Sequence, residues 1–217
     1  MLAEEDRDQG ARPGRVAPGM PVRERAFHVL MTTTVHGGNW RSPAGEASGP
    51  AGRMIWGVNA FERLSGEAKR VLGCARDESE RARAGYIGTE HLLIGLLRVE
   101  GGIAARALAE LGVDLEGVRA SVEAAARRPA QPGVPLEQTP TTRTRRVLEL
   151  AFDEAARGGA TTVTTGSVLA GLVLEEDGLA SHLLRDRGVT VAAVREVVTR
   201  LAELGVTEGR DGGGPAG

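Results

Sequence analysis

The sequence predicts an all-α fold: two tandem, pseudo-symmetric four-helix repeats behind a disordered N-terminal segment. Three observations predict it. Residues 68–122 align without a gap on residues 144–198, so that "RVLGCARDE" meets "RVLELAFDE" and "GIAARALAELGVDLEGVRASV" meets "GLASHLLRDRGVTVAAVREVV". Aromatic residues make up only 3% of the chain, which leaves Leu, Val, Ile and Ala to build any core. Apolar residues also recur at helical spacing between hydroxyl or acidic caps and glycine stops.

The elements follow in order. Residues 1–57 read as disordered: "EEDRDQGARPGRVAPGMPVRER" and "VHGGNWRSPAGEASGPAGR" are rich in Gly, Pro and charge. Such stretches bury too little apolar surface to offset the entropy of ordering. "AFHVLMTTTV" is the one candidate there for local structure, and Met54 is an alternative native start. The domain is expected over 58–206, with repeat 1 at 61–128, a Pro-rich linker "PAQPGVPLEQ" at 129–138, repeat 2 at 139–204 and a flexible tail at 207–217.

Within repeat 1, Ser65 is placed to cap a helix reaching about Arg83, with Ala68, Val71, Leu72 and Ala75 on one face. After Gly85, Thr89 is placed to cap a second helix carrying Leu92, Leu93, Leu96 and Leu97. Gly101 and Gly102 separate it from a third, with Ile103, Ala107, Leu108 and Leu111, which Gly112 stops. Asp114 caps the fourth, with Leu115, Val118 and Val122 inward. Repeat 2 copies the plan with Thr141, Thr165 and Thr190 at helix starts and Gly178 and Gly188 at breaks.

Charge and special residues narrow the function. The formal net charge is −2 and no long basic block occurs, so the balance gives no support for nucleic-acid binding. No apolar run reaches the ~18 residues of a transmembrane helix, and no signal peptide is evident, so no membrane role is expected. The single cysteine, Cys74, cannot form an internal disulfide, which fits a reducing cytoplasmic setting; it is expected on a buried helix face. His28, His36, His91 and His182 have no metal-ligand spacing, and no cofactor is expected. His91 reads as a packing or hydrogen-bonding contact at the repeat interface. No nucleophile stands beside an evident base, so no catalytic residues are assigned.

One difference between the repeats stands out. "YIGTEHLLIGL" at 86–96 matches "TVTTGSVLAGL" at 162–172 in its apolar skeleton, yet Glu90 and His91 become Gly166 and Ser167.

"FERLSGEAKRVLGCARDESERARAGYIGTEHLLIGLLRVEGGIAARALAELGVDLEGVR" closely resembles the amino-terminal repeat domain of the Clp unfoldases, especially the ClpC type. The resemblance covers residues 61 to about 204 and implies the fold read above from periodicity. It departs from full-length unfoldases in showing no G-x-x-x-x-G-K-[ST] phosphate loop, so a stand-alone domain without ATPase modules is expected. The resemblance implies a non-catalytic module that binds client proteins or peptides, some of them phosphoarginine-marked, together with Clp adaptors or a full-length Clp unfoldase. Such a module would be accessory to, or compete with, an ATP-dependent Clp protease system. Alternatives are a decoy for peptides or antibiotics aimed at that domain, and a hydrolase.

The resemblance further implies a phosphoarginine or peptide pocket at Ser65, Thr89 and Glu90, and an adaptor or peptide surface at Phe61. The chemistry is coherent. Helix N-termini and hydroxyls donate to a phosphoryl group, and a carboxylate pairs with a guanidinium. Gly166 removes that carboxylate from the second copy. Thr89 and Glu90 also have a plain structural reading, as residues favoured at a helix start.

Overall fold

The computed structural model describes residues 58–125 and 139–208. The expected disorder of 1–57, the segment 26–35, the alternative start at Met54, the linker and the end of the tail lie outside these residues. Among the described residues the order is α1 (Val58–Glu62), α2 (Gly66–Arg81), β1 (Tyr86–Ile87), α3 (Thr89–Arg98), α4 (Ile103–Glu110), α5 (Leu115–Ala125), β2 (Thr139–Pro140), α6 (Thr142–Arg157), α7 (Thr165–Leu174), α8 (Leu179–Asp186) and α9 (Val191–Glu203). Helices α2 to α5 recur as α6 to α9, each start displaced by the same 76 residues.

Ser65 caps α2 by accepting the Ala68 N–H at 2.9 Å, and Thr141 caps α6 by accepting the Thr144 N–H at 3.1 Å. Asp114 accepts the Gly117 N–H at 2.7 Å at the start of α5, and Thr190 accepts the Ala193 N–H at 3.2 Å at that of α9. These caps satisfy donors that an isolated helix start leaves open. Two details differ from the sequence reading. Helix α2 stops at Arg81, because Arg83 (φ 51°) and Gly85 (φ 68°) turn the chain left-handed. Thr89 and Thr165 are the first residues of their helices, and Gly88 and Thr164 are the caps.

The core is shared and duplicated. Val71, Leu72, Leu92, Leu93, Leu96, Leu108 and Val118 are buried, and so are their counterparts Val147, Leu148, Val168, Leu169, Leu172, Leu184 and Val194. Helix α2 lies on α3, and α6 on α7. A methyl group on Gly95 would stand 2.7 Å from the Val71 carbonyl oxygen, so only glycine permits that approach. Across the repeats, α3 meets α7 and α8, while α4 meets α7 and α9. Burying both sets of apolar faces in one body is the main stabilising term.

The repeats are also crossed at their helix starts, which the sequence reading did not foresee. β1 pairs in parallel with β2, Tyr86 opposite Thr139 and Ile87 opposite Pro140. Leu64 pairs in the same sense with Val163. The segment entering α6 therefore lies beside the segment entering α3, and the segment entering α2 beside the segment entering α7. Thr141 donates its N–H to the Ile87 carbonyl at 3.0 Å, and Ser65 donates its N–H to that of Val163 at 2.9 Å.

A pair of ionic clamps repeats with the helices. Glu78, 7% exposed, accepts from Arg81 at 2.6 Å, Arg119 at 2.8 Å and Arg98 at 3.0 Å. Glu154 accepts from Arg157 at 2.8 Å and from Arg195 through Nε at 3.0 Å. Each clamp ties the first helix of a repeat to its fourth. Cys74 is half-buried rather than fully enclosed, and burial is the main cause that pushes its thiol pKa up.

Candidate functional site: two corners of crossed helix starts

The crossing creates two related corners. At the first, β1 and the start of α3 meet the starts of α6 and α8. Thr89 is buried, and its hydroxyl accepts the Ala180 N–H at 3.4 Å. The N-cap of α8 is Gly178, which has no side chain to cap with, so Thr89 of the other repeat supplies the acceptor. Thr144 donates its hydroxyl to the Ile87 carbonyl at 2.7 Å, which brings Thr141 and its neighbours to this corner.

Glu90 sits in the first turn of α3 and is 9% exposed. Among the described residues no arginine or lysine forms an ion pair with it. His91 lies 3.6 Å away, but its Nδ1 accepts the Gly88 N–H at 3.0 Å. That nitrogen carries no proton, so the imidazole is neutral and the contact is not an ion pair. Burial, the largest influence, lowers the His91 pKa, and Glu90 opposes it. The Tyr86 phenol pKa is raised first by burial and then by the Glu90 carboxylate. The Tyr86 ring stands edge-on to His91 at 5.8 Å and is 46% exposed. Glu175 closes the corner: its carboxyl faces Arg143 at 3.7 Å, and burial raises its pKa.

At the second corner the starts of α2, α4 and α7 converge. Thr165 accepts the Ala104 N–H at 3.0 Å, the counterpart of the Thr89–Ala180 contact. Gly166 replaces Glu90, and Ser167 replaces His91. Thr164 caps α7 directly by accepting the Ser167 N–H at 3.3 Å, so no histidine is needed to hold the helix start.

Ser65 belongs to this second corner. Its amide bonds to Val163 and its hydroxyl donates to Glu208 at 2.8 Å. Grouping Ser65 with Thr89 and Glu90 therefore needs correction: the crossed starts put Ser65 with Thr165, and Thr141 is the first-helix hydroxyl at the Thr89–Glu90 corner. Phe61 lies on α1, half-buried. Tyr86 was missed, because its place beside Glu90 depends on β1 being held against β2. His182 is exposed, and His28 and His36 lie outside the described residues. Among the described residues no cluster of three or more His, Cys, Asp or Glu could hold a metal ion. No helix there is long and apolar enough to cross a membrane.

The crossed starts, the doubled core and the two corners define a class: a duplicated four-helix domain whose polar features gather at helix N-termini. Residues 63–187 and 139–216 match the family model of the Clp repeat (R) N-terminal domain, and the chain belongs to that family. It is 38% identical over 141 residues to the negative regulator of genetic competence ClpC/MecB of Bacillus subtilis, covering 65% of this chain and 17% of that protein. Among solved structures, it resembles the N-terminal domain of the chaperone ClpD from Arabidopsis thaliana, with a TM-score of 0.51 at 20% identity, covering 70% of this chain and 99% of that one. It also resembles a ClpV N-domain solved in complex with a VipB peptide, with a TM-score of 0.53 at 14% identity, covering 65% and 90% of the two chains. These structural likenesses define the fold. The chain spans less than a quarter of the length of the curated relative.

Proposed function

We propose that this chain is a non-catalytic protein- and peptide-binding module, acting beside or in competition with a Clp unfoldase in the cytoplasm. Its partners are client peptides, adaptors or the unfoldase itself, with Phe61 contributing to an adaptor or peptide surface. We further propose that the Thr89–Glu90 corner takes a phosphorylated arginine, with Thr141 in the place first given to Ser65. The observation that carries this reading is Glu90: a carboxylate at 9% exposure with no cationic partner among the described residues. A buried anion without a cation is costly unless hydrogen bonds or a ligand compensate it. A guanidinium supplies that charge in bidentate form, and the exposed Tyr86 ring beside it offers a face for stacking. The Thr89 hydroxyl lies at the start of α8, whose positive helix end suits a phosphoryl group, and Thr141 caps the neighbouring α6. Glu175, whose carboxyl lies over the same α8 start and whose pKa burial raises, must be neutral or displaced for that group to enter.

The test is calorimetric titration of the full chain with a phosphoarginine-bearing peptide, beside the Glu90→Ala variant. Saturable binding by the wild type that disappears in the variant is expected. Absence of binding in both, with the fold intact, would reduce Thr89 and Glu90 to helix-start residues and end the phosphoarginine reading.

A further inference from the structure

The second corner already holds an anion, and it comes from the chain itself. The Glu208 carboxylate accepts four hydrogen bonds. Ile103 N–H donates to Oε1 at 2.6 Å, Thr165 N–H donates to Oε2 at 2.8 Å, Ser65 Oγ donates to Oε2 at 2.8 Å, and the Thr165 hydroxyl donates to Oε1. Both hydroxyls are oriented. Ser65 Oγ uses a lone pair on the Ala68 N–H, and Thr165 Oγ1 uses one on the Ala104 N–H, so each hydroxyl proton is left for the carboxylate. The cradle residues are deeply buried: Ser65 and Thr165 at 0% exposure and Ile103 at 4%. Helices α4 and α7 direct their N-termini at the same group. No cation takes part in these four bonds; the compensation comes from N–H groups, hydroxyls and helix ends.

The path of the chain delivers Glu208 to this place. Helix α9 ends at Glu203, and Gly205 at φ 86° reverses the chain. Val206 N–H then bonds back to the Leu201 carbonyl at 3.0 Å. Residues 204–207 are the whole tether between helix and carboxylate. A tether this short holds its ligand at an effective concentration of roughly millimolar or above.

We propose that Glu208 is a built-in ligand. The Ser65–Ile103–Thr165 cradle is an anion-binding site that the tail keeps closed, and an external phosphate group enters it when the tail leaves. This inference is independent of the phosphoarginine reading, which concerns the other corner. The site recognises an anionic head alone, because Gly166 offers no carboxylate to a guanidinium.

The experiment is amide NMR on the full chain, labelled with nitrogen-15, as wild type, Glu208→Gln and Glu208→Gln/Ser65→Ala, each titrated with inorganic phosphate. In the Glu208→Gln variant the Ile103 and Thr165 amide resonances should move upfield, having lost a charged acceptor, while core amides such as Leu93 and Leu169 stay in place. Phosphate should then shift Ile103, Ala104 and Thr165 saturably, with a midpoint about tenfold or more below that of the wild type. Adding Ser65→Ala should weaken this binding. Unmoved Ile103 and Thr165 resonances in Glu208→Gln would overturn the docked tail. Equal phosphate midpoints in wild type and variant, no phosphate binding to the variant, or binding indifferent to Ser65 would overturn the closed anion site.

Discussion

Val198 stands over Gly166: a methyl group placed on the glycine would lie 2.8 Å from Val198 Cγ1 and 2.7 Å from Ile103 Cγ2. The second copy of the motif lacks Glu90's charge because α9 and α4 occupy the space where a side chain would go. Repacking and loss of the carboxylate are one structural event at this corner.

The first prediction follows from that contact. Gly166→Glu, which restores the "TE" pair, should destabilise the domain rather than recreate a pocket. Overpacking a close-packed site of this kind costs about 1–3 kcal/mol, and the buried charge adds to it. Gly166→Ala should sit at the lower end of that range. Chemical denaturation of the two variants beside the wild type measures the effect; a Gly166→Glu protein as stable as the wild type would show that Val198 gives way freely.

Much of the fold was legible in the sequence, for a physical reason. The 76-residue repeat fixed equal helices in both halves, and caps such as Ser65, Thr141, Asp114 and Thr190 stood where a helix start needs an acceptor. The crossing of the repeats was not legible. It depends on two-residue backbone pairings such as Tyr86 with Thr139, which carry no side-chain pattern. The site assignment suffered from the same blindness. Ser65, Thr89 and Glu90 lie in one repeat and invite grouping, yet a hydroxyl from each repeat goes to each corner. Three identical columns, Glu78 with Glu154, Arg81 with Arg157 and Arg119 with Arg195, could have revealed the ionic clamps. Charge conserved between two copies of one repeat is a signal that an apolar pattern search ignores.

The clamp at Glu154 gives the domain an acid-sensitive contact. Its carboxyl pKa is lowered to about 2, first by the hydrogen bond from Arg195 and then by that from Arg157. A folded pKa below the unfolded value contributes stability that is complete above about 4.5 and is lost as pH falls toward 2. Arg157 is 56% exposed, so water screens part of the interaction. Glu154→Gln should therefore cost roughly 1–2 kcal/mol at neutral pH, between surface and buried pairs. Urea denaturation at pH 7 and pH 3 should find a smaller gap between wild type and variant at the lower pH. A gap that stays constant would mean that the clamp adds nothing through its charge.

His91 should produce a separate pH dependence at higher pH. The neutral imidazole holds the Gly88 N–H, and burial lowers its pKa below 6.5. Stability is then complete above 6.5 and falls as pH drops below it, because the unfolded chain takes up the proton first. His91→Gln keeps an acceptor at the third helical position, where it can reach back to the cap amide, and removes the titration. Between pH 6.5 and 5 the wild type should lose stability relative to His91→Gln. Parallel stability curves across that range would show that His91 is as easily protonated folded as unfolded.

The crossed caps predict an asymmetry between two equivalent threonines. Thr89 caps α8 at 3.4 Å, and Thr165 caps α4 at 3.0 Å. Replacing either with valine keeps the shape and removes the acceptor, which leaves a helix-start N–H unpaired at a cost of about 0.5–2 kcal/mol. Thr165 also donates its hydroxyl to Glu208, so Thr165→Val loses two bonds where Thr89→Val loses one. Thr165→Val should therefore be the more destabilising variant. In a Glu208→Gln background the carboxylate is absent, and the two threonine variants should come closer together. A double-mutant cycle on Thr165 and Glu208, read by thermal unfolding, isolates that coupling. Additive effects would show that the tail carboxylate and the α7 start do not act together.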